Sequence, residues 1–197
     1  MREQSIVGNY YRLDPRKRMD VIIYHYECFP AIIRDYEMEL EDWILTSRAS
    51  ARQESLGDLG VRVQSGSNSA SPTEGYAIER MQVEQIVKSG ELDRYSMALS
   101  DADEIRRGLM EVRLMRREYD RMKVRMRTIG KLDREFLLKY VSRENRAENL
   151  SEDLLITQKS IRNRIYNIKK RLFDGFVENF DFYSDDTILI LQHIKEA

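Results

Sequence analysis

The sequence is poor in the residues that staple or punctuate a fold. It holds a single cysteine, Cys28, among 197 residues. A disulfide within the chain is therefore excluded, as is a zinc site built on several thiolates. Two histidines, His25 and His193, are all that is available as imidazole ligands or bases. His25 and Cys28 lie three apart, a spacing that can turn both to one side of a helix. A metal or nucleophilic centre needs further partners, so both are expected to be packing or surface residues. There is no phosphate-binding glycine loop and no G-x-S-x-G. The glycines of SLGDLG and QSGSN sit in polar sequence. Carboxylate pairs occur at Glu37/Glu41, Asp101/Glu104 and Asp185/Asp186, but nothing around them argues for acid–base work or Mg²⁺. Caps and solvated faces explain them. No enzyme, catalytic residue, cofactor or metal is expected. Met1–Arg18 lacks the apolar core of a signal peptide, and no stretch approaches the roughly 18 apolar residues of a membrane span. The expected location is cytoplasmic, with no membrane partner.

With only three prolines and nine glycines, long helices are admissible. Apolar residues make up 42% and charged residues 34%, enough for a core spread along amphipathic helices. The net charge of −1 conceals strong local asymmetry. Lys159, Arg162, Arg164, Lys169, Lys170 and Arg171 share one acid-free stretch, followed by Asp174, Glu178, Asp181, Asp185 and Asp186. Glu37, Glu39, Glu41 and Asp42 form an acidic run near the other end. Phosphate neutralisation is local, so a neutral average does not exclude a nucleic-acid partner.

The fold class expected is all-α. An N-terminal helical segment (1–46) begins at the Asp14 cap and Pro15 and runs to about Thr46. Val21, Ile22, Tyr24, Cys28, Ile32, Tyr36, Leu40 and Trp43 form its apolar stripe, and Pro30 should kink or split it. Residues 47–74, rich in Ser, Gly and Asn, read as a flexible linker in which Val61 and Val63 pack briefly. Central helices (75–130) follow. The first carries Ile78, Met81, Val83 and Ile86 and breaks at Ser89-Gly90. A further helix is expected around Leu92, Tyr95 and Leu99.

The longest helical signal starts at Ser100 and ends at Gly130. Ile105, Leu109, Val112, Met115, Tyr119, Met122, Met126 and Ile129 advance in steps of three and four, as in a helical hairpin or short coiled coil. Its remaining faces carry Arg106, Arg107, Arg113, Arg116, Arg117, Arg121, Lys123, Arg125 and Arg127. The plain reading is a packed stripe with a solvated basic surface. The sharper reading is that the basic side also meets DNA phosphates.

The most informative stretch is 131–173. Leu132, Phe136, Leu137 and Tyr140 define a first apolar face, and Ser142 to Asn145 form a polar joint. A short second helix turns Leu150 and Leu154 inward, and Ile156-Thr157 makes the turn. A third helix, capped by Thr157, buries Ile161, Ile165, Ile168 and Leu172. Its opposite face shows residue types that suit the major groove of double-stranded DNA. Arg pairs with guanine, Asn and Gln pair with adenine, and Lys and Tyr reach phosphates. Gln158, Lys159, Arg162 and Asn163, at the N-terminal end, are the candidate base readers. Tyr166 shares their face, while Arg164, Lys169, Lys170 and Arg171 are expected to contact the backbone.

The helix ending at Tyr140, the short helix through Leu150 to Leu155, the Ile156-Thr157 turn and the early core residue Ile161 resemble a sigma-factor region-four helix-turn-helix. In layout the chain is similar to phage late transcription regulators of the ArpU/RinA type. The likeness covers most of the chain in layout and its last third in motif. It implies a DNA-binding late-gene activator whose N-terminal and central helices contact RNA polymerase or mediate homo-oligomerisation. Two positions depart from the usual pattern. Ser151 stands where Ala is common, and Leu155 stands where Gly relieves a left-handed backbone. That conformation costs a non-glycine residue on the order of 1 kcal/mol or more, so a turn of different shape is expected, shifting the reading register by about one position. The last segment (174–197), with Phe176, Phe180, Phe182, Tyr183 and Thr187 to Leu191, is expected to pack back on the module or on a second subunit.

Two other functions fit parts of the pattern. A small terminase-like packaging protein also joins a helix-turn-helix to oligomerising helices. A protein-interaction adaptor would use the Ile105–Ile129 stripe as its partner surface.

Overall fold

Asp14 opens the first helix as its composition suggests: its carboxylate accepts from the Lys17 backbone N–H at 3.0 Å, and Pro15 fills the first helical position. This helix, α1 (Pro15–Tyr24), is followed by α2 (Phe29–Leu56), α3 (Pro72–Ser89), α4 (Ala102–Thr128), α5 (Lys131–Val141), α6 (Arg146–Leu154) and α7 (Gln158–Val177). A computed structural model describes residues 8–56, 72–142 and 146–177, and within them the protein is all-α. Val61, Val63, most of the polar joint and the terminal segment from residue 178 lie outside the described residues.

Several boundaries differ from those expected. The N-terminal helix does divide, but at the turn 25–28 rather than at Pro30. Pro30 sits in the first turn of α2, where its missing N–H has no partner to lose. The turn lets Phe29 enter an aromatic group in which its ring lies 6.0 Å from that of Tyr10 and 5.6 Å from that of Tyr119. Tyr24 and Cys28 consequently leave the stripe and are exposed. Helix α2 does not stop at Thr46 but continues to Leu56, and α3 starts at Pro72, so the linker 47–74 is helical at both described ends. Arg48 explains the extension. It is 2% exposed, and its guanidinium donates to Ser96 Oγ at 3.0 Å and Asp93 Oδ2 at 2.7 Å. The helix expected around Leu92 to Leu99 is a 3₁₀ turn, Ser96–Ala98, drawn around that arginine.

Helix α4 is the centre of the molecule. Ile105, Leu109, Val112, Met115, Met122, Met126 and Ile129 are buried, and Tyr119 is half-buried. The stripe is consumed within the chain and offers no free partner surface. Helix α2 runs antiparallel to α4, since Tyr36 meets Glu111 while Trp43 and Ser47 both donate to Asp101. Gly108 allows the close approach: a Cβ there would stand 2.6 Å from Leu40 Cδ2. Helix α3 covers α2 with Val83, Ile86 and Val87, leaving Ile78 and Met81 exposed.

The other side of α4 holds two buried carboxylates. Glu111 accepts from the backbone N–H groups of Tyr10 and Tyr11 and from the Tyr36 hydroxyl. Glu118 accepts from the Tyr10 hydroxyl at 2.6 Å and from Arg18 Nε at 3.1 Å. Burial pushes both carboxyls above their usual range, with Arg18 and the donors pulling the other way. These groups tie the N-terminal segment to the middle of the chain. Among the described residues no helix is long and apolar enough to cross a membrane.

Candidate nucleic-acid interface

Helix α7 is positioned by what its inner face meets. Ile161, Ile165, Ile168 and Leu172 are all at most 5% exposed and repeat every three or four residues. They belong to the same buried cluster as Phe136 and Leu137 of α5 and Leu150 of α6, and α7 contacts α1, α4, α5 and α6. Leu132 and Leu154, expected in this core, are 74% and 45% exposed. Each lies near an end of its short helix, where the packing partners run out.

Three residues, Leu155, Ile156 and Thr157, join α6 to α7. Leu155 adopts the left-handed conformation, with φ of +53°, even though it carries a side chain. That side chain is 92% exposed and clears its neighbours. The substitution of Leu for Gly therefore does not remove the left-handed residue from the turn. Thr157 caps α7 by accepting the Ser160 backbone N–H at 3.2 Å, and its own carbonyl receives the Ile161 N–H.

The candidate residues separate into two sets. Lys159, Arg162, Asn163, Tyr166 and Lys170 are exposed and form one outward stripe opposite the isoleucines. Tyr166 is 67% exposed, unusual for a tyrosine with no packing role. Arg162 also approaches Gln158 Oε1 at 3.4 Å, and Gln158 is half-buried at the helix start. Asn167, exposed one turn beyond Asn163, belongs to the same side and was not singled out from sequence, although its i+4 spacing carried the signal.

Arg164 and Lys169 do not join that stripe. Arg164 donates to Asp133 Oδ1 at 2.9 Å and lies 4.3 Å above the Phe136 ring. Arg171, seven residues on and so on the same flank, donates to Asp133 Oδ2. The two guanidiniums hold the Asp133 carboxyl below the usual carboxylate range, Arg171 contributing most. Lys169 pairs with Asp20 of α1 at 2.6 Å. Expected to contact the DNA backbone, these cations are engaged within the protein and orient α7. Their partners are 31, 38 and 149 residues away in sequence, beyond the reach of local pattern.

His25 and Cys28 do face one another, with Sγ 3.7 Å from Nδ1. No group of three or more His, Cys, Asp or Glu side chains that could hold a metal occurs among the described residues.

No family model, curated protein or solved structure matches this chain.

Proposed function

We propose that the protein is a DNA-binding transcription regulator that inserts α7 into the major groove as the second helix of a helix-turn-helix. The observation that carries this reading is the outward stripe of α7. Lys159, Arg162, Asn163, Tyr166 and Lys170 stand exposed on a helix whose start is fixed by the Thr157 cap and whose inner face is fully occupied. Among the described residues no acid pairs with Lys159, Arg162 or Lys170. Arg162 and Asn163, near the helix N-terminus, are the base readers; Lys159, Tyr166 and Lys170 contact phosphates. Gln158 reaches the DNA only by giving up its half-buried position.

The resemblance of 131–173 to sigma region four extends the proposal to a late-gene activator of the phage type. Contact with RNA polymerase or a second copy then belongs to the surfaces of α2 and α3, because the α4 stripe is already buried.

Fluorescence anisotropy of the full chain against its own upstream DNA and a scrambled duplex, at two salt concentrations, tests the reading. The expected result is tight binding to the first and weak, salt-steep binding to both. Absence of salt-dependent binding to either duplex would overturn it.

A further inference from the structure

The outward stripe of α7 is bordered on both sides by cations that other helices have supplied with acids. Lys169 stands two turns beyond Arg162, at one edge of the stripe. Arg164 and Arg171 directly follow Asn163 and Lys170, so each lies about 100° further around the helix, on the opposite flank.

On that flank two guanidiniums close on one carboxylate. Arg164 donates to Asp133 Oδ1 from Nε at 3.2 Å and from Nη2 at 2.9 Å, and Arg171 donates to Oδ2. The two arginines hold the Asp133 carboxyl below its usual range, so it is an anion at neutral pH. The Phe136 ring, 4.3 Å from the Arg164 guanidinium, backs the clasp. On the other flank Lys169 Nζ donates to Asp20 Oδ1 at 2.6 Å.

These pairs are within reach of a ligand. The side chains of Arg164, Arg171 and Lys169 are 44%, 56% and 33% exposed. Solvated ion pairs are weak, and the buried isoleucines hold α7 in place, so another oxyanion can take over the cations without unfolding the helix.

Arginine's planar fork receives carboxylate and phosphate oxygens in the same geometry. A carboxylate held by two such forks therefore fills a site that fits a phosphodiester. A helix about 10–12 Å across with its side chains fills a major groove roughly 12 Å wide. Its outward face then meets base edges, and its two flanks face the sugar–phosphate walls. Phosphate-directed cations belong on those flanks, where α7 carries Arg164, Arg171 and Lys169.

We propose that the Arg164–Arg171 clasp and Lys169 are phosphate sites for the two DNA strands, and that Asp133 and Asp20 occupy them as internal stand-ins that hold down the sequence-independent affinity. This rests on the reading of α7 as the base-reading helix. Docked phosphates must displace the carboxylates or face their repulsion. A cation that exchanges one anion for another adds little to net counterion release, so all three cations are muted in the salt dependence of the parent protein.

The test titrates the full chain, Asp133→Asn, Asp20→Asn and the double variant with the upstream and scrambled duplexes over a salt series. Glu84→Gln is the control: it makes the same change in net charge and frees Lys88 on α3. Asp133→Asn is expected to gain affinity for both duplexes by the same factor and to keep their ratio. Its slope of log affinity against log salt should steepen by about 1 to 2, and that of the double variant by about 2 to 3, at ~0.9 per phosphate contact. Adding Arg164→Gln and Arg171→Gln to Asp133→Asn should abolish the gain. Melting curves establish that each variant is folded at the titration temperature; Asp20→Asn alone, with a slope gain of about 1, serves if the Asp133 variants fold poorly.

Unchanged slopes in both aspartate variants, with the parent protein still binding, overturn the stand-ins and leave α7 standing. An equal steepening in Glu84→Gln overturns them too, since bulk charge then explains the gain. Retained sequence preference in a Lys159→Ala/Arg162→Ala variant, with steeper slopes in the aspartate variants, overturns α7 as the reader and leaves the phosphate sites. Absence of salt-dependent binding in the parent and the aspartate variants alike overturns both. Stabilisation of Asp133→Asn by inorganic phosphate, with its DNA slope unchanged, would assign the clasp to a free phosphate and overturn the DNA assignment.

Discussion

Arg18 and Glu118 meet at 3.1 Å with side chains 1% and 0% exposed, so an arginine–carboxyl pair from distant parts of the sequence is sealed inside the core. Removing one partner leaves the other buried and uncompensated. Glu118→Ala is expected to cost about 3–5 kcal/mol in denaturant unfolding. Combining Arg18→Met and Glu118→Leu with Tyr10→Phe should recover most of that loss, because all three polar groups leave together. A loss below about 1 kcal/mol for Glu118→Ala would mean that the pair does not organise the core.

Asp133 gives a pH signature. Its carboxyl is held below the usual range in the folded state by Arg171 and Arg164, so the folded protein binds this proton less readily than the unfolded chain. The stabilisation is therefore fully present above the ordinary carboxylate pKa and is lost as pH falls through the lower, folded-state value. Asp133→Asn should lower stability by about 1 kcal/mol at neutral pH, a modest figure because both arginines are largely solvated. The two proteins should converge at acid pH. Urea midpoints measured at both ends of the range check this, and a gap that persists in acid would show that charge is not the cause.

Leu155 should respond in the unusual direction. A non-glycine residue at φ of +53° is strained, and its exposed side chain gains little from packing. Leu155→Gly removes the strain while adding backbone entropy to the unfolded chain. A net gain of about 0.5–1 kcal/mol is expected from thermal unfolding. A loss would show that the leucine side chain makes a contact worth more than the strain.

Arg162 and Arg164 are two residues apart and should behave as different kinds of residue. Arg162→Ala is expected to weaken specific DNA binding by about 1–3 kcal/mol and to relax base preference without changing stability. Arg164→Ala should lower stability and leave base preference intact, since its guanidinium is spent on Asp133 and Phe136. Paired melting curves and anisotropy titrations of the two variants separate these effects. Similar losses of specificity in both would displace the reading register.

What was legible in the sequence is what depends on neighbours three and four residues away. The stripe from Ile105 to Ile129, the Asp14 and Thr157 caps and the inner face of α7 all follow from that period. Features set at long range were not legible. Nothing near Pro30 says that it sits harmlessly in a first turn, because the break is set by Phe29 joining Tyr10 and Tyr119. The end of α2 depends on Arg48 finding Asp93 and Ser96. The cations of the α7 stripe and its ion-paired cations look alike in sequence, and only Asp133 and Asp20, contributed by other helices, divide them. Leu132 and Leu154 fit the apolar pattern, but their short helices end before a partner reaches them.

The Lys169–Asp20 pair and the Arg16 guanidinium 4.7 Å above the Phe173 ring fasten the far end of α7 to the first helix of the chain. Helix α7 is thus a strut shared between the beginning and the end of the polypeptide, not the last part of a detachable cassette. A graft of residues 131–177 onto another scaffold would carry the side chains of the stripe but leave their bearing behind. Conversely, a ligand or partner that displaced α1 would re-aim the stripe without touching it.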